Sequence, residues 1–258
     1  MRIAQITDTH IAVPPVEGAR RERDLARTIA AINALDPLPD LVVHTGDAAD
    51  RGQPAEYEVV RRLMEALNVP WVVLPGNRDK QRHMRAAFGD LPWAPAGDGP
   101  FDFVLDDFAL KVVAFDTCTG PGHKGWADDD RLAALAAMLE GGQPAVVAMH
   151  HPPFEVEEIP DPRQFEKWEQ AEALAGLLAN ADNVAAVMTG HIHRHVRGHA
   201  GEVPILIMPC NAADLRKGPA KALDDKVAYL LHRFDDASGT WRGSDFVVQD
   251  AAGETLVA

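Results

Sequence analysis

LVVHTGDAAD, residues 41–50, sets an apolar triplet directly before a polar, glycine-containing run. Leu41, Val42 and Val43 read as a short buried strand, with HTGDAAD as the loop that follows it. Upstream, RIAQITDTH at residues 2–10 repeats the pattern: Ile3 and Ile6 mark a strand over residues 2–7, and Asp8 falls at its end. Downstream, WVVLPGNRD at residues 71–79 repeats it again. Between these segments the apolar spacing is helical. Leu25, Ile29, Ile32 and Leu35 define a helix over residues 24–35 that Pro37 and Pro39 stop, and Val59, Leu63 and Leu67 define one over residues 54–67 with Pro54 near its start. Strand, polar loop and helix in alternation predict a parallel sheet with flanking helices, and ligand sites at the carboxyl ends of the strands.

The texture then changes. Residues 89–100 are rich in Gly and Pro and show no periodicity. Residues 101–105 and 110–115 read as paired strands around the Asp106-Asp107 turn, residues 129–140 as an Ala/Leu-rich helix ended by Gly141-Gly142, and residues 145–149 as a strand that ends at His150. A helix over residues 166–179 and a strand over residues 184–188, ending at Gly190-His191, follow. Residues 205–208, 227–234 and 246–248 read as late strands and are expected to form a second sheet. Two Pro-rich loops stand out, at residues 91–100 and 152–162; the second follows His150 and His151 directly and is placed to shape a substrate pocket.

Length and composition set outer bounds. With 258 residues, 47% of them hydrophobic and 25% charged, the chain reads as one soluble globular domain over residues 1–258. No stretch approaches the roughly 20 apolar residues needed to cross a bilayer. The N-terminus lacks an apolar run of signal-peptide type, so the expected location is the cytoplasm, with no membrane partner. Cys118 and Cys210 are too few and too far apart for a disulfide framework and read as unpaired thiols. A formal charge of -14 disfavours a nucleic-acid surface, which needs clustered Lys and Arg. Arg20, Arg21 and Arg23 read as a solvated helix entry.

Five polar motifs each follow an apolar strand: Asp8-Thr9-His10, Gly46-Asp47, Gly76-Asn77-Arg78-Asp79, His150-His151 and Gly190-His191-Ile192-His193. A fold that aligns strand ends gathers them on one rim. Their donors are carboxylate, carboxamide and imidazole, suited to Mn, Fe, Zn or Co, with no thiolate among them. In an extended segment, residues two apart project to the same side, so Asp8 and His10 are expected to share an ion, and His191 and His193 likewise. The glycines at 46, 76 and 190 allow tight turns and close approach. Asp50 and Asp79 read as turn or supporting residues. His83, His123, His199 and His232 read as surface or structural, whereas His151 and His195, beside the candidate ligands, are candidates for contact with ligands or substrate.

The ordered series D-x-H, G-D-x-x-D, G-N-x-D, H-H-P-P, G-H-x-H resembles the calcineurin-like metallophosphoesterase superfamily over positions 8 to 193. The MHHPP run at 149–153, the GHIHRH run at 190–195 and the KGW segment at 124–126 resemble its bacterial class III cyclic-nucleotide phosphodiesterases and the related glycerophosphodiesterases. The resemblance implies an α/β fold, a four-layer α/β/β/α sandwich with the metal site at the carboxyl ends of the strands. It also implies two divalent metal ions, one held by Asp8, His10 and His193, the other by Asn77, His150 and His191, with Asp47 bridging. The implied activity is hydrolysis of a small phosphodiester, a 3',5'-cyclic nucleotide or a glycerophosphodiester, by attack of a metal-bound hydroxide. Dimers occur among the relatives, so a homodimer or higher homo-oligomer is possible.

One position departs from the pattern. The family usually reads G-N-H-D, and Arg78 stands where that His would be. Arg does not act as a general acid at ordinary pH but pairs bidentately with phosphate. The expectation is that Arg78 clamps phosphate while water, or a neighbour such as His151 or His195, protonates the leaving oxygen; the alternative has Arg78 pointing away and pairing with a carboxylate such as Asp79. G-N-R-D also occurs in pyrophosphohydrolases acting on a UDP-diacylglucosamine, so a nucleotide pyrophosphohydrolase or phosphomonoesterase is the alternative enzyme. A non-catalytic scaffold of the same fold is the rival of another class, and the full ligand set argues against it.

Overall fold

The computed structural model describes residues 1–250 and 255–257. Strand β1 (Arg2–Ile6) runs parallel to β2 (Leu41–His44), which runs parallel to β3 (Trp71–Val73). Helix α1 (Arg21–Asn33) connects the first pair and α2 (Pro54–Met64) the second, the right number of residues for a helical crossover between parallel strands. Pro54 occupies the first turn of α2, and Gln53 and Glu56 close a capping box there. Helix α3 (Gln81–Phe88) was not expected from the sequence: it has eight residues and buries only Met84 and Phe88, too few apolar positions to show a period.

The chain then builds the second sheet. Strand β4 (Phe103–Leu105) pairs antiparallel with β5 (Lys111–Ala114), and β6 (Ala145–Ala148), β7 (Val184–Thr189) and β9 (Val203–Ile207) continue it in parallel. The edge strand β8 (Val196–Ala200), VRGHA, pairs antiparallel with β9; its partly exposed, polar sequence hid it from a reading based on apolar runs. Helices α4 (Asp129–Leu139) and α5 (Trp168–Asn180) cover this sheet.

The late strands correct the sequence reading. Only β9 belongs to the second sheet. Strands β10 (Val227–Phe234), β11 (Trp241–Gln249) and β12 (Thr255–Val257) return to the first, giving the orders β12-β11-β10-β1-β2-β3 and β4-β5-β6-β7-β9-β8. Apolar runs announce buried strands but not which sheet they join. Here β10 takes the free edge of β1, antiparallel, with Arg2 opposite Arg233 and Gln5 opposite Leu230.

Alternation along the second sheet defines the layers. Val112, Ala114, Val146, Ala148, Ala186, Met188 and Leu206 share one apolar core with Ile3, Ile6, Val42 and Leu230 of the first sheet and with α1 and α2. Val113, Ala145, Val147, Val187 and Ile205 face the opposite way, onto Leu135, Leu139, Leu174 and Leu178 of α4 and α5. The layers are therefore helices, sheet, sheet, helices. The segment at 89–100 is not featureless: Trp93 is buried and stacks edge-on or tilted with Trp71, Phe88, Phe101 and Phe103. No helix among the described residues is long and apolar enough to cross a membrane.

Candidate metal centre

Each motif leaves the carboxyl end of a strand: Asp8 and His10 follow β1, Asp47 follows β2, Asn77 follows β3, His150 follows β6, and His191 and His193 follow β7. The first sheet thus supplies Asp8, His10, Asp47 and Asn77, and the second supplies His150, His191 and His193. The backbone there is not extended. Asp8, His10, Asp47, His191 and His193 have φ of 50°, 44°, 52°, 70° and 59°, and among the described residues these are the non-glycine positions with positive φ. The expectation that residues two apart project together from a strand is therefore corrected; left-handed turns aim these side chains instead. Each such residue costs of order 1–3 kcal/mol, tolerated where the surroundings over-determine it and typical of functional sites.

The donors fall into two groups. In the first, Asp8 Oδ1 lies 3.3 Å from His193 Nε2 and 3.8 Å from His10 Nε2, and those two nitrogens are 3.2 Å apart. In the second, Asn77 Oδ1 lies 3.2 Å from His150 Nε2 and 3.0 Å from His191 Nδ1. Asp47 reaches both: Oδ2 is 3.6 Å from His10 Nε2, and Oδ1 is 3.7 Å from His150 Nε2. His191 and His193 therefore part company, one to each group, against the expectation that they share an ion.

The donor chemistry fits cations. Asp8 Oδ1 is buried and has no hydrogen-bond partner, whereas Oδ2 accepts from Thr7 Oγ1 and the amide of His191. A buried carboxylate oxygen left bare is costly unless a positive charge meets it. Burial would raise the Asp8 pKa, but His193 and His10 hold it well below the usual range; burial would lower His193, and Asp8 raises it well above. In the second group, His150 Nδ1 faces the carbonyl of Thr45 at 2.8 Å. A carbonyl only accepts, so Nδ1 carries the proton, and the Nε2 lone pair faces the lone pairs of Asn77 Oδ1. Facing lone pairs repel unless a cation lies between them. His193 Nδ1 is likewise 3.0 Å from Leu215 O. Such outer-nitrogen partners are the usual support of metal-ligating imidazoles.

Residues 1–195 match the calcineurin-like phosphoesterase family. The chain belongs to that family. It is accordingly a phosphoesterase, and membership implies divalent metal ions. It is 30% identical to a protein named as a probable glycerophosphodiester phosphodiesterase from Arcobacter nitrofigilis, covering 96% of this chain and 93% of that one. It is 28% identical to a cAMP/cGMP dual specificity phosphodiesterase from Mycobacterium tuberculosis, covering 83% of this chain and 69% of that one. In fold it is similar to a dimetal phosphatase from Danio rerio, with TM-score 0.66 and 13% identity over 99% of this chain and 98% of that one.

The remaining candidates lie around this phosphoesterase centre. Arg78 has its amide held by Asp47 Oδ1 at 2.7 Å, while its guanidinium is exposed and makes no hydrogen bond or ion pair among the described residues. It does not pair with Asp79. That buried carboxylate accepts from the amides of Ala48, Ala49 and Gly76 and from Tyr57 Oη, and burial with Asp47 nearby pushes its pKa up to about 6. His151 is fully buried, with Nδ1 2.8 Å from Thr117 Oγ1 and Nε2 3.1 Å from His123 O. Burial and the neighbouring His191 and His150 lower its pKa well below the usual value. With both nitrogens taken, it is placed to buttress rather than to reach substrate. His195 is exposed and stacks on Phe246, ring centroids 4.4 Å apart.

Other residues depart from their sequence reading or escaped it. Arg21 is buried, not solvated: it donates to His10 O at 2.9 Å and pairs with Asp50 and Asp214. Arg20 keeps to the expected surface role, pairing with Asp225. His232 is buried between Gln5 and Ser244, a structural role. Cys118 and Cys210 are free thiols. The sequence reading missed Gln164, whose Oε1 lies 2.8 Å from His191 Nε2, because a lone Gln in a loop carries no motif.

Gly76 is required by close approach. A Cβ there would collide with the main-chain nitrogen and Oδ1 of Asp47, neither of which can yield without moving the shared carboxylate. Gly76→Ala is expected to lower unfolding free energy by about 1–3 kcal/mol, as overpacking does. Urea denaturation of metal-free protein measures it, and an unchanged midpoint would show that the turn relaxes at no cost.

Proposed function

We propose that this chain is a dinuclear metal-dependent phosphodiesterase that hydrolyses a small phosphodiester, a 3',5'-cyclic nucleotide or a glycerophosphodiester. The observation that carries the reading is the division of seven oxygen and nitrogen donors into two groups, with one oxygen of Asp47 turned to each. Asp8, His10 and His193 would hold one ion and Asn77, His150 and His191 the other, with Asp47 offering one oxygen to each group. Bound there, the ions supply Lewis acidity toward phosphate oxygens and lower the pKa of water. The protein's own groups do the rest. Arg78 reaches the phosphate as a cation without a competing partner and stabilises charge on its oxygens. Thr45 O and Leu215 O orient imidazoles, and Asp79 fixes the turn that carries Asn77. The names of the relatives from Arcobacter nitrofigilis and Mycobacterium tuberculosis support a diester as substrate.

The test is a hydrolysis panel with added Mn: bis-p-nitrophenyl phosphate, p-nitrophenyl phosphate, cyclic AMP, glycerophosphoethanolamine and a UDP-sugar diphosphate. Diesters are expected to be turned over with the higher kcat/KM. Preference for the monoester or for the pyrophosphate would overturn the diester reading.

A further inference from the structure

We infer that Gln164 is a positioning residue that fixes which ring nitrogen His191 presents to Asn77. The inference rests on the metal-site reading above. His150 and His193 have their outer nitrogens held by main-chain carbonyls, of Thr45 and Leu215. Those acceptors are built into the backbone and can pin only one tautomer. His191 is oriented the other way round, with Nδ1 toward Asn77 Oδ1 at 3.0 Å and Nε2 outward. Its outer partner is a side chain, Gln164 Oε1, at 2.8 Å.

A carboxamide is ambiguous in a way a carbonyl is not. Turned over, it would offer an NH2 group to Nε2 and drive the proton to Nδ1, where it would block the metal-facing lone pair. Gln164 is prevented from turning over. Its Nε2 donates to the carbonyl of Asp161, which leaves Oε1 for His191. The side chain is buried, with the residue 5% exposed. Its backbone is stapled to the neighbouring loop: Gly125 N donates to Gln164 O at 2.9 Å, and Glu166 N donates to Gly125 O at 3.1 Å. Lys124 ties the same two loops through Asp161. Asp161 O thus orients Gln164, and Gln164 holds the proton on His191 Nε2, so that Nδ1 keeps its lone pair for the second ion.

The experiment is nitrogen-15 NMR of histidine-labelled, metal-stripped protein at mildly alkaline pH, with the His191 signals assigned by His191→Ala. Wild type is expected to show His191 with Nε2 protonated and Nδ1 bare. Gln164→Leu should lose that preference, and Gln164→Glu, whose carboxylate only accepts, should keep it. Mn titration of the same proteins by equilibrium dialysis gives the second readout. Gln164→Leu should weaken one of the two ions by about 10–100-fold, the usual effect of removing a ligand's outer partner, and Gln164→Glu should restore it. If Gln164→Leu does not fold, Gln164→Asn, one methylene shorter, makes the same test. An unchanged His191 tautomer in the substituted protein overturns the inference. Wild type with the pinned tautomer but no bound Mn overturns the metal reading and leaves the role of Gln164 standing.

Discussion

Asp47→Asn is expected to abolish phosphodiester hydrolysis, with turnover falling on the order of 10³-fold or more, about 4 kcal/mol in the barrier. The substitution removes one negative charge and leaves the shape unchanged. Asn is also among the residues that tolerate the left-handed backbone at this position, where φ is 52°, so the fold should survive. What is lost is a carboxylate with an oxygen toward each donor group, 3.6 Å from His10 and 3.7 Å from His150. Asn77→Ala, by contrast, strips a neutral ligand from one group only. Elemental analysis should find metal depleted at both positions in Asp47→Asn and mainly at one in Asn77→Ala. Activity of Asp47→Asn within about tenfold of wild type, roughly 1.4 kcal/mol, would remove Asp47 from the bridging position.

Arg78→Ala is expected to lower turnover by about 10²–10³, the size of effect seen when one oxyanion donor is removed. The factor should be similar for an activated p-nitrophenyl diester and for an alkyl diester. A guanidinium stabilises charge on the phosphate oxygens in both reactions and donates no proton in either. Its amide is pinned by Asp47 Oδ1, and its guanidinium makes no hydrogen bond or ion pair among the described residues. A proton donor would behave differently, since p-nitrophenolate leaves without protonation and an alkoxide does not. Loss confined to the alkyl diester would make Arg78 part of a proton path, and no loss on either would remove it from the site.

The sequence yields the seven clustered donors because each follows an apolar strand, and strand ends converge in a parallel sheet. It also yields a parallel sheet with flanking helices, from helical spacing between strands, while the four layers follow only from the family resemblance. It does not yield the left-handed turns at Asp8, His10, His191 and His193, because ordinary L-residues give no sign of positive φ. It misses the supports at Thr45 and Leu215, whose acceptors are main-chain oxygens and independent of residue type. Gln164 escapes for a related reason: its role comes from a loop-to-loop staple and not from spacing. His151 is legible as a residue that contacts either ligands or substrate, and the fold narrows this by occupying both its nitrogens with Thr117 Oγ1 and His123 O. The placement of β10 beside β1 was illegible because strand pairing across more than 200 residues leaves no local trace.

That long pairing bears on how the protein is made. Strand β1 leaves the ribosome more than 200 residues ahead of its antiparallel neighbour β10, with Arg2 opposite Arg233. At about 5–20 residues per second, this edge of β1 waits roughly ten seconds or longer for its partner. Throughout that interval it is an apolar strand with open backbone groups, the kind of edge that invites pairing with a foreign chain. His191 and His193 also emerge late, after the four donors of the first sheet. Both donor groups are therefore completed only after β7 has emerged. Nascent chains halted before β7 carry Asp8, His10, Asp47 and Asn77 with no imidazole from that strand to complete either group.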